Sequence, residues 1–231
     1  MKRLLVLTMA AMAVTALGRS LEIVGFSDDG RHLAYTVSGV YEGSGFPYCR
    51  LVLLSSPDDS IIARHEAVDP EHQLDTGVLR DQLLEELREV LDSYGIQEGN
   101  TGVFIEYPPI DSPAEAMIIS FRPVDGVDGL SPGLYSLDLF QEVLDSSSVY
   151  YGMYPSTCSL YLTRAADCGS GELLNWEERP LLEDTVYRFE LLPPIIHPEG
   201  IMVVFIECTV RGFEVPGTEV VPAAFNDLTM D

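Results

Sequence analysis

Lysine is almost missing from this sequence of 231 residues. The single Lys stands at position 2, and beyond residue 18 the strong bases are 11 Arg, set against 37 Asp plus Glu. The whole chain carries a formal charge of −24. A surface this acidic repels phosphate backbones and anionic lipid, which sets nucleic-acid and membrane-surface binding aside. Nucleotide-binding signatures are missing too: there is no P-loop and no Gly-rich dinucleotide fingerprint. No CxxC occurs, and His32, His65, His72 and His197 are scattered, so the common zinc arrangements are excluded. Long apolar runs are absent except at the start. Residues 4–17 are uncharged and mostly apolar, shorter than the roughly 20 residues a spanning helix needs.

That first run has a specific reading. Lys2 and Arg3 precede it, and small residues follow at two cleavage spacings, Val14/Ala16 and Ala16/Gly18. This is the layout of a secretory signal peptide. Residues 1–18 are therefore expected to be a signal peptide, and 19–231 a single exported β-rich domain with a soft boundary near residue 97. The alternative is an uncleaved N-terminal anchor. With no second apolar tract, a soluble periplasmic or secreted protein is expected. The acidity then has three readings: colloidal solubility, a salty habitat that screens self-repulsion, or loose attraction of divalent cations.

Four Cys remain: Cys49, Cys158, Cys168 and Cys208. An even count in an exported chain points to disulfides, with three connectivities open. Cys158 and Cys168 flank a span short enough to close a local hairpin. Cys49 with Cys208 would then join the two ends of the mature chain. Four buried free thiols are the alternative.

Period-two alternation dominates the rest. "SLEIVGF", "RHLAYTVSGV", "YCRLVLLSS" and "SIIARHEAV" read as strands, followed later by "TGVFIEY", "AEAMIISFRPV", "GLYSLDLFQEV", "STCSLYLTRA", "DTVYRFELLP", "GIMVVFIECTV" and "EVVPAAF". The breaks, among them "PPIDSP", "DGVDGLSPG", "CGSGE", "HPEG" and "EVPG", are rich in Pro, Gly, Asp and Ser. One helix is predicted over 78–94. Leu79, Leu83, Leu87, Val90, Leu91 and Tyr94 form its apolar stripe, Asp75 or Thr76 its start and Gly95 its end. The fold class is mainly β with one amphipathic helix, built from antiparallel sheets, sandwich-like or partly propeller-like.

A faint repeat links the ends of the chain. "GFSDDGRHLAYTVSGV" and "PIIHPEGIMVVFIECTV" share an acid-Gly turn and a following apolar strand, so that Gly30 matches Gly200, Leu33 matches Val203 and Tyr35 matches Phe205. The intervening segments lack the motif. This excludes a complete propeller, which needs a unit every 40–50 residues, and suggests two hairpins that stack. The turn in "FSDDGRHLAY" resembles the FSPDG-type turn of TolB-like and WD-type propeller blades. The fuller stretch, with the Glu42-Gly43-Ser44-Gly45-Phe46-Pro47-Tyr48 loop and "GFEVPGTEVVPAAF", resembles a family of predicted secreted bacterial proteins of unknown function. That resemblance implies export and a β-rich fold but no chemistry.

Candidate chemistry is sparse. Ser44 lies between glycines, where a flexible loop is the simpler reading, and His197 lies in a turn. Asp28 and Asp29, and Asp125 and Asp128, offer oxygens to Ca²⁺ but match no EF-hand loop. Ca²⁺ is the one ion the sequence suggests, and no cofactor is expected. Tyr150, Tyr151 and Tyr154 in "VYYGMYP" cluster beside Gly and Pro, suited to stacking on a sugar or peptide or to covering a core edge. The leading expectation is a non-enzymatic binding module with a protein or cell-envelope partner. The alternatives are an exported hydrolase using carboxylates or a divalent metal, and a halotolerant structural protein.

Overall fold

Period-two alternation turns into sheets wherever a strand has one apolar face, and into a central strand where both faces are apolar. The computed structural model describes residues 14–16, 19–105, 116–121, 135–144, 147–164, 169–175, 185–212 and 216–225. Its first sheet contains β1 (Val14–Ala16), β2 (Arg19–Phe26), β3 (His32–Val40), β4 (Pro47–Ser55) and β5 (Ser60–Val68), in that order. Two helices follow, α1 (Thr76–Glu86) and α2 (Arg88–Ser93). The remaining strands are β6 (Val103–Phe104), β7 (Ala116–Phe121), β8 (Tyr135–Val143), β9 (Ser156–Arg164), β10 (Gly169–Asn175), β11 (Val186–His197), β12 (Ile201–Val210) and β13 (Gly217–Phe225). They form a central sheet ordered β13-β12-β11-β6 and an outer sheet ordered β10-β9-β8-β7. Among the described residues, all pairings are antiparallel and no sheet closes. The propeller resemblance of the first turn therefore does not extend to the architecture.

Three apolar cores separate four layers. The helices bury Leu79, Leu83, Leu87 and Leu91 on Ala34, Cys49, Leu51 and Leu53 of the first sheet. The opposite face of that sheet, through Leu33, Tyr35, Val52 and Leu54, meets Ile201, Val203 and Phe205 of β12. The other face of β12, through Met202, Val204, Ile206 and Cys208, meets Leu137, Leu139, Cys158 and Leu160 of the outer sheet. Phe205 is fully buried, and removing such a side chain from water contributes about 1.5–3 kcal/mol. The apolar run "IMVVFI" that opens β12 is thus the signature of a strand sandwiched on both faces.

The two similar hairpins do stack. Gly30 and Gly200 each end their turn at positive φ, +67° and +79°, with their N–H groups donating to Ser27 O and His197 O. A Cβ on Gly30 would stand 2.6 Å from His197 Nδ1, so the turns abut with no room for a side chain. Tyr35 meets Phe205 edge-on at 5.1 Å, and Phe26 meets the His197 ring at 5.0 Å.

Several expectations need correction. The predicted single helix is two segments that break at Leu87, whose ψ is 8°. A four-residue spacing drifts about 40° per repeat around a straight helix. Redirecting the axis at Leu87 keeps Leu91 on the sheet, while Val90 stays exposed. Asp75 caps the start as expected, accepting a hydrogen bond from Val78 N–H. The break read in "CGSGE" is instead the beginning of β10. Neither proposed disulfide forms. Cys49 faces the helix layer and Cys208 faces the outer sheet, so two sheets lie between them. Cys158 is a buried free thiol, and Cys168 lies outside the described residues. Burial pushes the Cys49 thiol up to about 11 and that of Cys158 to about 12, leaving both protonated and unreactive.

Candidate functional site

The connection between β8 and β9 gathers the exposed apolar residues of the outer sheet. Along β8, Tyr135, Leu137 and Leu139 point inward and Phe140 points outward, against Tyr161 of β9 at 5.8 Å. Beyond Val143 the two chains stay joined: Leu144 N–H donates to Pro155 O. Tyr150 and Met153 then exchange both backbone hydrogen bonds, at 2.8 and 2.9 Å, across the two-residue turn Tyr151-Gly152. Both turn residues have positive φ, +50° and +80°, which is the primed geometry that matches strand twist. Gly152 adopts it freely. For a bulky residue such as Tyr151 it is a strained conformation, of the kind concentrated at ligand-contacting sites.

The loop is held from below. The Tyr150 hydroxyl accepts from Gly212 N–H at 3.1 Å and donates to Gly212 O at 3.2 Å. Its ring packs on Tyr187 at 5.1 Å, and the Arg211 guanidinium lies 5.7 Å from the ring centre. The Gln141 amide bonds both backbone groups of Phe189 on β11, donating to its O at 2.9 Å and accepting from its N–H at 3.0 Å. On this base Tyr151 is 63% exposed, and Val143, Leu144, Val149 and Tyr154 stand open beside it. Tyr150 is therefore the anchor, and Tyr151 and Tyr154 are the presented rings. The sequence grouped the three tyrosines but did not single out Phe140, Val143, Leu144 and Val149 around them. The Tyr-Gly dipeptide was the available signal for the turn.

Asp29, Ser44 and His197 make local contacts within their turns. Asp29 accepts from Ser27 Oγ at 2.7 Å and from Arg31 N–H at 3.1 Å, and these bonds hold its carboxyl below the usual range. Asp28 is exposed in the same turn. Asp125 and Asp128 lie outside the described residues. Among the described residues, no three His, Cys, Asp or Glu side chains converge in a way that would hold a metal ion. Ser44 Oγ accepts from Phe46 N–H at 3.3 Å within the β3–β4 turn. His197 is buried, and its Nδ1 accepts from Glu199 N–H at 3.2 Å. Burial lowers its proton affinity, while Glu199, Asp29 and Asp28 partly oppose that.

Sequence reasoning also missed a charged seam where the first sheet overhangs the central one. Arg50 pairs with Glu66 at 2.9 Å and with Glu219 of β13 at 2.8 Å. Tyr41 hydroxyl donates to Glu66 at 2.7 Å, and its ring stacks on Tyr48 at 4.5 Å. Arg19 lies 5.8 Å from the Tyr48 ring centre. Glu207 is buried close by; desolvation, followed by Glu190, raises its pKa. Arg50, Glu66, Glu219 and Tyr41 satisfy one another and tie two layers together, while Arg19 Nη1 is buried without a hydrogen-bond partner.

Among the described residues, no helix is long and apolar enough to cross a membrane. No curated protein and no solved structure matches the chain. A family model described as "Predicted secreted protein (DUF2259)" matches residues 34–223. The matched span takes in the Gly-Ser-Gly-Phe-Pro-Tyr loop, the tyrosine hairpin and most of β13, and it begins just after the "FSDDG" turn. With nearly all of its strands inside that span, this chain belongs to the family of predicted secreted proteins called DUF2259.

Proposed function

We propose that the protein is a non-enzymatic binding module of the periplasm or cell envelope that holds a protein partner through the tip of the β8–β9 hairpin. The observation that carries this reading is Tyr151, a large, exposed ring kept in a strained backbone position by a rigidly anchored loop. Tyrosine supplies much contact area with little side-chain entropy to lose, which suits it to the centre of an interface. The surrounding Val143, Leu144 and Val149 are aliphatic. They suit an apolar protein surface better than a sugar, which needs polar partners for its hydroxyls. The overall charge of −24 favours a partner whose contact surface is neutral or basic.

The experiment compares envelope proteins retained by the wild type and by a Tyr151→Ala/Tyr154→Ala variant. Both side chains are exposed, with the Tyr151 ring meeting Tyr150 edge-on at 4.9 Å, so the variant should melt within a few degrees of wild type. Loss of one retained protein in the variant is the expected result. Equal retention by both, or a turnover abolished by replacing acidic residues in a folded chain, overturns the reading.

A further inference from the structure

The outer edge of β5 carries an independent signal. This strand ends the first sheet: one edge pairs with β4 from Tyr48↔Val68 to Ser55↔Ser60, and no strand among the described residues pairs with the other. It is nine residues long, with neither Pro nor Gly. Natural sheets protect such edges with charge, proline or bulges. Here the protection consists of Arg64, Glu66 and one bulge near the Ser60 end. The two charges have opposite sign and flank His65 symmetrically.

We propose that two copies of this chain dimerise by antiparallel pairing of β5 with β5, about a two-fold axis at His65. In that register Arg64 faces Glu66 of the partner subunit, and Ala63 faces Ala67 of the partner subunit. Ile62 faces Val68 of the partner subunit, and each relation occurs twice. Ile62 and Val68 are the two large apolar side chains that β5 leaves exposed, each at 38%. Centring the axis on Arg64 or on Glu66 would instead set like charges directly opposite, which is unfavourable across strands. The charge pattern therefore selects one register of self-pairing. An isologous contact of this kind closes at two subunits and leaves no new edge to propagate.

The layers permit it. Helix α1 lies on Leu51 and Leu53 of β4. In the joined sheet the two β4 strands stand three strand spacings apart, about 14 Å, while a helix with its side chains is about 10–12 Å across. The two helix layers therefore fit side by side. The dimer presents two tyrosine hairpins, but its formation does not depend on what they bind.

Sedimentation of the secreted form at micromolar concentration is expected to give twice the chain mass. Arg64→Glu sets two pairs of acids opposite each other and should yield a monomer whose circular-dichroism spectrum matches that of the wild type. His65→Cys provides the register test. Residues facing each other across a two-fold axis have Cα atoms about 4.5–5.5 Å apart, within disulfide range. Oxidised glutathione should therefore link this variant into covalent dimers. Arg64→Cys should stay unlinked, because its two copies stand about 8 Å apart. A wild type that sediments as a monomer overturns the proposal, as does an Arg64→Glu variant that remains dimeric. Linking of Arg64→Cys as readily as His65→Cys also overturns it.

Discussion

Two hairpin loops in this molecule are built from the same residue types and end differently. The β3–β4 loop carries Tyr41, Gly43, Gly45, Phe46 and Tyr48, and it spends its aromatics on itself. Tyr41 stacks on Tyr48, Phe46 meets His72 at 5.1 Å, and Tyr48 is only 2% exposed. The β8–β9 loop carries Val149, Tyr150, Tyr151, Gly152 and Tyr154, and it uses one tyrosine as an anchor while presenting two. The difference lies beneath the loops. The first overhangs a seam of charge, with Arg19 and Arg50 both near the Tyr48 ring, so its rings have partners. The second extends past the end of the outer sheet, where Tyr150 packs on Tyr187, lies beside Arg211, bonds Gly212 and meets the Tyr151 ring edge-on at 4.9 Å. Aromatic content in a loop is therefore no guide to binding until the supply of partners is known.

Substitutions test that contrast. Tyr48→Ala should cost most, about 3–5 kcal/mol in denaturant unfolding, because a buried ring is replaced by a cavity. A loss below about 1 kcal/mol would mean that the first loop is not packed as described. Tyr150→Phe should cost about 1–2 kcal/mol, since it leaves both Gly212 groups without the hydroxyl. Its hydrogen exchange should rise at Tyr150 and Met153 before the core strands respond. Tyr151→Gly should have the opposite sign, raising stability by up to about 1 kcal/mol through relief of the positive φ while abolishing partner retention. A destabilised Tyr151→Gly protein would remove the argument that strain is held there for contact.

The seam under Tyr48 gives the smallest effect, and its sign depends on pH. Glu207 has a raised pKa in the fold, so its ionised form is disfavoured there relative to the unfolded chain. Its contribution to stability is most favourable below the ordinary carboxylate range and is lost as pH rises through the raised value. Glu207→Gln should therefore stabilise the protein at neutral pH, with the gain shrinking as the solution is acidified. A gain that grows on acidification would reverse the assignment.

Much of the first sheet was legible, because its turns carry strong local chemistry. Ser27–Gly30 and the Gly-Ser-Gly loop set the strand ends, and "SIIARHEAV" coincides with β5. The continuous apolar run of β12 pointed to burial but not to which layers enclose it, since that depends on contacts across more than a hundred residues. The kink at Leu87 was invisible because no Pro or Gly marks it. The disulfides were misjudged because even counting of cysteines ignores which face each one occupies. At the candidate site, composition located the tyrosines, but only the backbone at Tyr151 and the hydrogen bonds of Tyr150 separate the anchor from the exposed rings.

The central position of β12 has a consequence for export. A polypeptide threaded through a membrane emerges N-terminus first, so β2 to β5 reach the far side well before residue 201. Until then Leu33, Tyr35, Val52 and Leu54 have nothing to lie against, and the outer sheet waits in the same condition. Assembly is therefore held open until residue 201 and those after it arrive, and the interval is when aggregation threatens. A chain so heavily acidic repels its own copies during that interval, which gives the charge a kinetic use that the finished fold does not reveal.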